Sequence, residues 1–145
     1  MYQALELAAL GRGAVEPNPM VGCVIVQDEQ VIAEGWHQRY GEAHAERNAV
    51  NQLNDPSQLV GSTVYVTLEP CSHHGKTPPC ADLLAKHRVG RVVICNRDPN
   101  PLVNGQGIAR LQEAGTQVET GLLEAEGRTL NANFFKAMEA QNRSR

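Results

Sequence analysis

Thr63-Val64-Tyr65-Val66-Thr67-Leu68-Glu69-Pro70-Cys71 runs from a β-branched apolar stretch straight into a proline and a cysteine, and Arg91-Val92-Val93-Ile94-Cys95 repeats the apolar stretch further on. Short apolar runs of this kind, bounded by turn residues, read as buried strands. Between them lie a loop rich in Gly, His and Pro and a helix predicted from about Pro79, where proline suits the first helical turn. A strand, a helix and a second strand in that order imply a parallel crossover. Upstream, residues 21–26 and 31–36 flank the polar turn Asp28-Glu29-Gln30 and make a hairpin. A helix begins near His44, carries Ala45, Ala49, Val50 and Leu53 on one face, and stops at Asn54-Asp55-Pro56. A first helix over residues 4–9 is stopped by Gly11 and Gly13. Glu16-Pro17-Asn18-Pro19 is held extended, because each proline disfavours helical geometry in its predecessor. Downstream come the loop Asp98-Pro99-Asn100-Pro101, a helix over 108–114 ended by Gly115, a short strand over 117–119 and one final helix over 122–138.

This alternation predicts an α/β protein, a three-layer α/β/α sandwich on a five-stranded mixed sheet whose second half is parallel. Ligands of such sheets sit beyond the carboxyl ends of the strands. The loops after Leu68 and Cys95 lie at that edge. No repeat or linker interrupts the chain, so residues 1–145 are expected to form one domain.

The chain has 145 residues, 41% hydrophobic and 20% charged, enough to build a core without disulfide staples. The net charge of −3 speaks against a large nucleic-acid footprint, yet a single Lys or Arg suffices to hold one phosphate. No apolar stretch approaches the length of a membrane span. Met1-Tyr2-Gln3-Ala4-Leu5-Glu6-Leu7 lacks the basic start and apolar core of a signal peptide. A cytoplasmic setting is therefore expected, in which the four cysteines serve as ligands or core residues and not as disulfides. Cys23 and Cys95, each inside an apolar strand, read as small buried hydrophobes.

The remaining two cysteines carry chemistry. His44-Ala45-Glu46, Pro70-Cys71 and Pro79-Cys80 together offer one imidazole and two thiols, a donor set that suits zinc. Three protein ligands leave a fourth position for water, whose pKa such an ion lowers to about 7. Glu46 is the candidate proton carrier, but two residues beyond His44 it lies roughly 200° around an ideal helix. The pair can face one site only if His44 stands at the very start of its helix, and Gly41 makes that abrupt entry possible. Cys71 and Cys80 are expected near the N-terminus of the helix that begins at about Pro79, where free N–H groups and the helix dipole favour thiolates. A His-x-Glu followed by Pro-Cys and a second Cys is the signature of zinc deaminases. Here the cysteines enclose Ser72-His73-His74-Gly75-Lys76-Thr77-Pro78-Pro79 instead of a two-residue spacer.

Four segments narrow the resemblance: Pro17-Asn18-Pro19-Met20-Val21-Gly22-Cys23-Val24, Gly41-Glu42-Ala43-His44-Ala45-Glu46, Thr67 through Cys80, and Asp98-Pro99-Asn100-Pro101-Leu102-Val103. The sequence resembles the deaminase domain of the bifunctional riboflavin-biosynthesis deaminase/reductase family, in the cytidine-deaminase superfamily, over almost its whole length. The resemblance implies hydrolytic deamination of 2,5-diamino-6-(5-phosphoribosylamino)pyrimidin-4-one with release of ammonia. It implies Zn2+ on His44, Cys71 and Cys80, Glu46 as proton shuttle, and Asn18, His37, His73, Lys76, Asp98 and Asn100 as contacts to a phosphoribosylated pyrimidine. It also implies a homo-oligomer. Lys76 offers a point charge for phosphate, and the Asn amides offer both donors and acceptors for a pyrimidine edge. Each contact also has a purely structural reading. Asn18 could simply turn the chain between prolines, Asp98 and Asn100 could stabilise their own loop, and His37 could cap its strand at the surface. Glu69 could orient a ligand or face solvent at a strand end. His74 and His87 read as surface residues. The chain ends soon after the region of resemblance and carries no Gly-rich dinucleotide cradle, so no reductase activity is expected of it. A reductase domain would be separate, or cut away.

Two rivals remain at this level. A deaminase of another nucleobase, nucleoside or tRNA would share the metal chemistry, although the long loop carrying Lys76 favours a small phosphorylated substrate. A structural zinc-binding module would want a fourth ligand, and His73 or His74 has suitable spacing.

Overall fold

The computed structural model describes residues 1–72, 78–100 and 103–143. Five strands form one sheet: β1 (Gly22–Gln27), β2 (Gln30–Trp36), β3 (Thr63–Leu68), β4 (Arg91–Asn96) and β5 (Gln117–Thr120). Their spatial order is β2-β1-β3-β4-β5. β1 pairs antiparallel with both β2 and β3, while β3, β4 and β5 run parallel. The mixed sheet expected from the alternation is the sheet observed.

Helices α1 (Tyr2–Ala9), α2 (Ala45–Asn51), α3 (Cys80–Lys86), α4 (Gln106–Glu113), α5 (Glu124–Leu130) and α6 (Ala132–Arg143) complete the described elements, with a 3-10 turn at Pro56–Leu59. α2, α3 and α4 neighbour one another and cover one face; α1 and α5 cover the other. The main core lies under the first group, where Ile25, Leu59, Val64, Val66, Leu84, Val92, Ile94 and Leu111 are fully buried. Each such side chain contributes roughly 1.5–3 kcal/mol of transfer free energy. Cys23 and Cys95 are buried within the strands as expected, and burial pushes both thiols up, Cys95 to about 11.

One close approach sets the position of α2. A Cβ on Gly35 would lie 2.4 Å from Ala49 N and 2.5 Å from Ala45 O, so the helix backbone rests directly on β2. Any side chain at position 35 would lift the N-terminus of α2, and with it His44 and Glu46, off the sheet.

The last segment corrects the sequence reading. Instead of one helix over 122–138 there are two, broken at Asn131, whose backbone leaves helical geometry at φ −109°, ψ 33°. The Asn131 amide accepts from Met20 N and donates to Met20 O, both at 2.8 Å. A side chain that bonds a distant strand entry this way outweighs the apolar periodicity, which runs through the break unchanged. Leu123 adopts φ 58°, so α5 starts at Glu124 and not at Leu122. Smaller differences are local. α4 begins at Gln106, ahead of the expected Ile108, and α2 stops at Asn51, after which Asp55 caps the 3-10 turn through Ser57 N.

Candidate active site

The strand directions decide which loops meet. Because β3 and β4 are parallel, their carboxyl ends share an edge. β1 is antiparallel to β3, so its amino end lies at that same edge, and β2, antiparallel to β1, brings its carboxyl end there. Four segments therefore converge: residues 17–21, 37–44, 69–71 and 97–100. They line a cleft of about 480 Å³ whose walls include Asn18, His37, His44, Glu46, Cys71, Asp98 and Asn100.

His44 is the N-cap of α2, with an extended backbone at φ −73°, ψ 167°. The turn from extended to helical lets His44 and Glu46 face one point despite their unfavourable helical spacing, as the sequence required. Across the gap, Cys71 follows the end of β3 and Cys80 opens α3 behind its N-cap Pro79. His44 Nδ1 stands 3.8 Å from Cys71 Sγ and 3.7 Å from Cys80 Sγ. Zinc–ligand bonds of about 2.0–2.3 Å in a tetrahedron set nitrogen–sulfur edges of about 3.6 Å. The donor atoms thus already stand at the spacing that ion needs. Among the described residues, these three form the group of His, Cys and acidic side chains close enough to hold a metal. All four cysteines are free thiols.

The electrostatics follow from burial and from this cluster. Cys71 Sγ accepts from Cys80 N at 3.2 Å, so the first N–H of α3 stabilises a thiolate, as expected near a helix N-terminus. The Cys80 thiol bond, chiefly, and the His44 bond pull Cys71 down to about 4, while that same shared bond and burial push Cys80 up. The bond to Cys71 raises His44, against its desolvation. Glu46 is 3% exposed, and desolvation first, then the Cys71 charge, push it up to about 7.

His37 does not cap its strand at the surface: it is buried, packs edge-on against the His44 ring at 5.4 Å, and is lowered chiefly by desolvation. Its Nδ1 lies 3.1 Å from the Ala43 carbonyl, which can only accept, so that nitrogen carries the proton. Nε2 is then the acceptor for the Asn18 amide at 3.2 Å. The Asn18 amide is thereby oriented as a donor to His37 on the cleft wall, and its carbonyl oxygen can only accept. Asn100 N donates to Asp98 Oδ1 at 2.9 Å, the self-bonded turn that its composition suggested, yet both residues also line the cleft. His73, His74 and Lys76 lie outside the described residues.

Asn48, Phe134 and Met138 belong to the site without any motif in the sequence to mark them. Asn48 Nδ2 donates to Trp36 O and Ala43 O and so ties down the loop before His44. Phe134 and Met138 of α6 wall the cleft from the far side, and nothing but apolar periodicity marked them. Glu69, for which the two readings were a ligand orienter or a solvent-facing strand end, is 4% exposed and binds backbone N–H groups instead.

An α/β/α sandwich holding an imidazole and two thiols around a buried carboxylate defines the zinc-dependent deaminase class of the cytidine type. The sequence model for the "Cytidine and deoxycytidylate deaminase zinc-binding region" matches residues 1–96. The chain is 47% identical over 138 residues to the "Diaminohydroxyphosphoribosylamino-pyrimidine deaminase" of Buchnera aphidicola subsp. Schizaphis graminum, covering 95% of this chain and 92% of that one. It is 52% identical to the riboflavin biosynthesis protein RibD of Escherichia coli, covering 95% of this chain but 37% of RibD. Acinetobacter baumannii RibD superposes with a TM-score of 0.90 at 51% identity, covering 94% of this chain and 38% of that chain. The chain belongs to the diaminohydroxyphosphoribosylaminopyrimidine deaminase family, within the cytidine and deoxycytidylate deaminases. It spans nearly all of the Buchnera relative and little more than a third of the RibD proteins. Among its described residues no helix is long and apolar enough to cross a membrane.

Proposed function

We propose that residues 1–145 form one deaminase domain that converts 2,5-diamino-6-(5-phosphoribosylamino)pyrimidin-4-one into 5-amino-6-(5-phosphoribosylamino)uracil and ammonia, a step of riboflavin biosynthesis. The observation that carries this reading is the buried Glu46 beside a three-ligand cluster at the floor of a cleft lined with amide and imidazole groups. His44, Cys71 and Cys80 hold the zinc, which when bound supplies a polarised water as nucleophile. Glu46 takes a proton from the attacking water and delivers it to the ring nitrogen, then takes the proton of the newly formed C–OH and delivers it to the amine, whose C–N bond breaks as the carbonyl forms. A carboxyl that burial has moved towards neutral pH can both accept and donate in that cycle. Asn18, fixed as a donor to His37, turns its carbonyl to the amino-substituted edge of the pyrimidine. Asp98 and Asn100, which line the cleft, and His73 and Lys76 make the remaining substrate contacts, with Lys76 the point charge for the phosphate.

Copies of the chain associate into a homo-oligomer, the protein works in the cytoplasm, and its product passes to a reductase domain, joined or separate. A purely structural zinc module has no use for a buried, desolvated carboxylate at the ligands, and Glu46 disfavours it.

The test is to measure bound zinc and ammonia release from the phosphoribosylated diaminopyrimidinone, with Glu46→Gln as control. One zinc per chain, ammonia from the parent and none above background from the variant is the expected result. Turnover of cytidine or guanine but not of this substrate would overturn the pathway while keeping the chemistry. Zinc without any turnover would favour the structural module. Light scattering on the purified chain tests the oligomer.

A further inference from the structure

We propose that Glu69 is a positioning residue that fixes the substrate-contacting loop after β4 against the metal-bearing end of β3. Its carboxylate is buried and accepts four backbone N–H groups. Oε1 receives Asp98 N at 3.2 Å and Gly105 N at 3.1 Å, and Oε2 receives Gly107 N at 3.0 Å and Ile108 N at 3.3 Å. Those donors are the two ends of one loop and the first turn of α4. A single side chain therefore closes the loop that carries Asp98 and Asn100 and seats it on the helix behind. Glu69 N completes the connection by donating to Asn96 O at 3.0 Å.

Two residues further along the chain stands Cys71. Any shift of the Glu69 carboxylate moves Asp98 and Asn100 relative to the metal ligands across the same cleft. The packing leaves no slack for such a shift, because a Cβ on Gly107 would lie 2.0 Å from Pro70 O. Four N–H donors need four lone pairs, which a carboxylate provides. A glutamine offers one oxygen and turns two N–H groups towards the remaining donors. An aspartate keeps both oxygens but draws them back by one methylene.

This role rests on the proposed deamination, so the test carries one readout that does not. Glu69→Gln and Glu69→Asp are prepared as full chains with zinc. Both are expected to retain one zinc per chain and to keep kcat within about threefold of the parent, while KM for the phosphoribosylated diaminopyrimidinone rises by about tenfold or more. If the carboxylate served only to satisfy buried donors, Glu69→Asp would restore KM. Independently of substrate, hydrogen exchange at the amides of Asp98, Gly105, Gly107 and Ile108 should accelerate at least about tenfold in Glu69→Gln, with α2 amides unchanged. Unchanged KM and unchanged exchange in the zinc-loaded variants would overturn the proposal. So would loss of zinc, or a fall in kcat at constant KM. If the parent does not turn over this substrate, the functional reading fails, and the exchange pattern alone decides whether Glu69 clamps the loop.

Discussion

Replacing Glu46 by glutamine should do more than stop the reaction: it should stabilise the metal-free fold above neutral pH. Glu46 is raised from 4.5 to about 7, chiefly by desolvation. The folded state therefore binds a proton more tightly than the unfolded chain, and stability falls as pH climbs from the unfolded value through the folded one. At about 1.4 kcal/mol per pH unit, that interval corresponds to about 3 kcal/mol, lost in full above about pH 7. Glutamine matches the shape of the protonated acid and carries no charge to desolvate. The two metal-free proteins should thus be of similar stability near pH 4.5, and Glu46→Gln should gain by about 3 kcal/mol at pH 8. His44 and Cys71 titrate in both proteins, so the difference reports the burial of Glu46 together with its coupling to those two neighbours. The assay is urea unfolding of zinc-stripped protein across that pH range. Parallel stability curves would refute the claim that Glu46 is desolvated in the folded chain.

Other perturbations have equally definite outcomes. The β1–β2 hairpin turns through Asp28 and Glu29 at φ 51° and 66°, a left-handed pair without glycine, so Glu29→Gly should raise stability by on the order of 1 kcal/mol in thermal unfolding. Gly35→Ala should cost on the order of 2 kcal/mol and weaken zinc retention on dialysis, because the added methyl displaces α2 and His44 with it. Asn131→Ala removes both bonds to the Met20 backbone and should destabilise by roughly 2 kcal/mol, visible as a lower urea midpoint at unchanged slope. Cys80→Ser should leave the purified chain without stoichiometric zinc and without ammonia release, and added zinc should no longer raise its melting temperature as it does for the parent.

Much of this protein was legible in the sequence because its signals are local. The β-branched runs at 63–68 and 91–95 have one comfortable conformation, and the crossover between them is chiral and short. The metal ligands could be named because an imidazole and two thiols in polar loops have little else to do. Even the need for His44 to stand at a helix start followed from the angle between neighbouring helical residues. Tertiary structure decided the rest. Asn18 and His37 join the site because β1 and β2 run antiparallel to β3, which brings the amino end of one strand and the carboxyl end of the other to the edge where β3 and β4 finish. No local preference encodes that direction. The break at Asn131 depends on a partner, Met20, that lies far away along the chain. Glu69 looks like any acid at a strand end until the fold sets four backbone donors around it, and only then does burying a carboxylate become favourable.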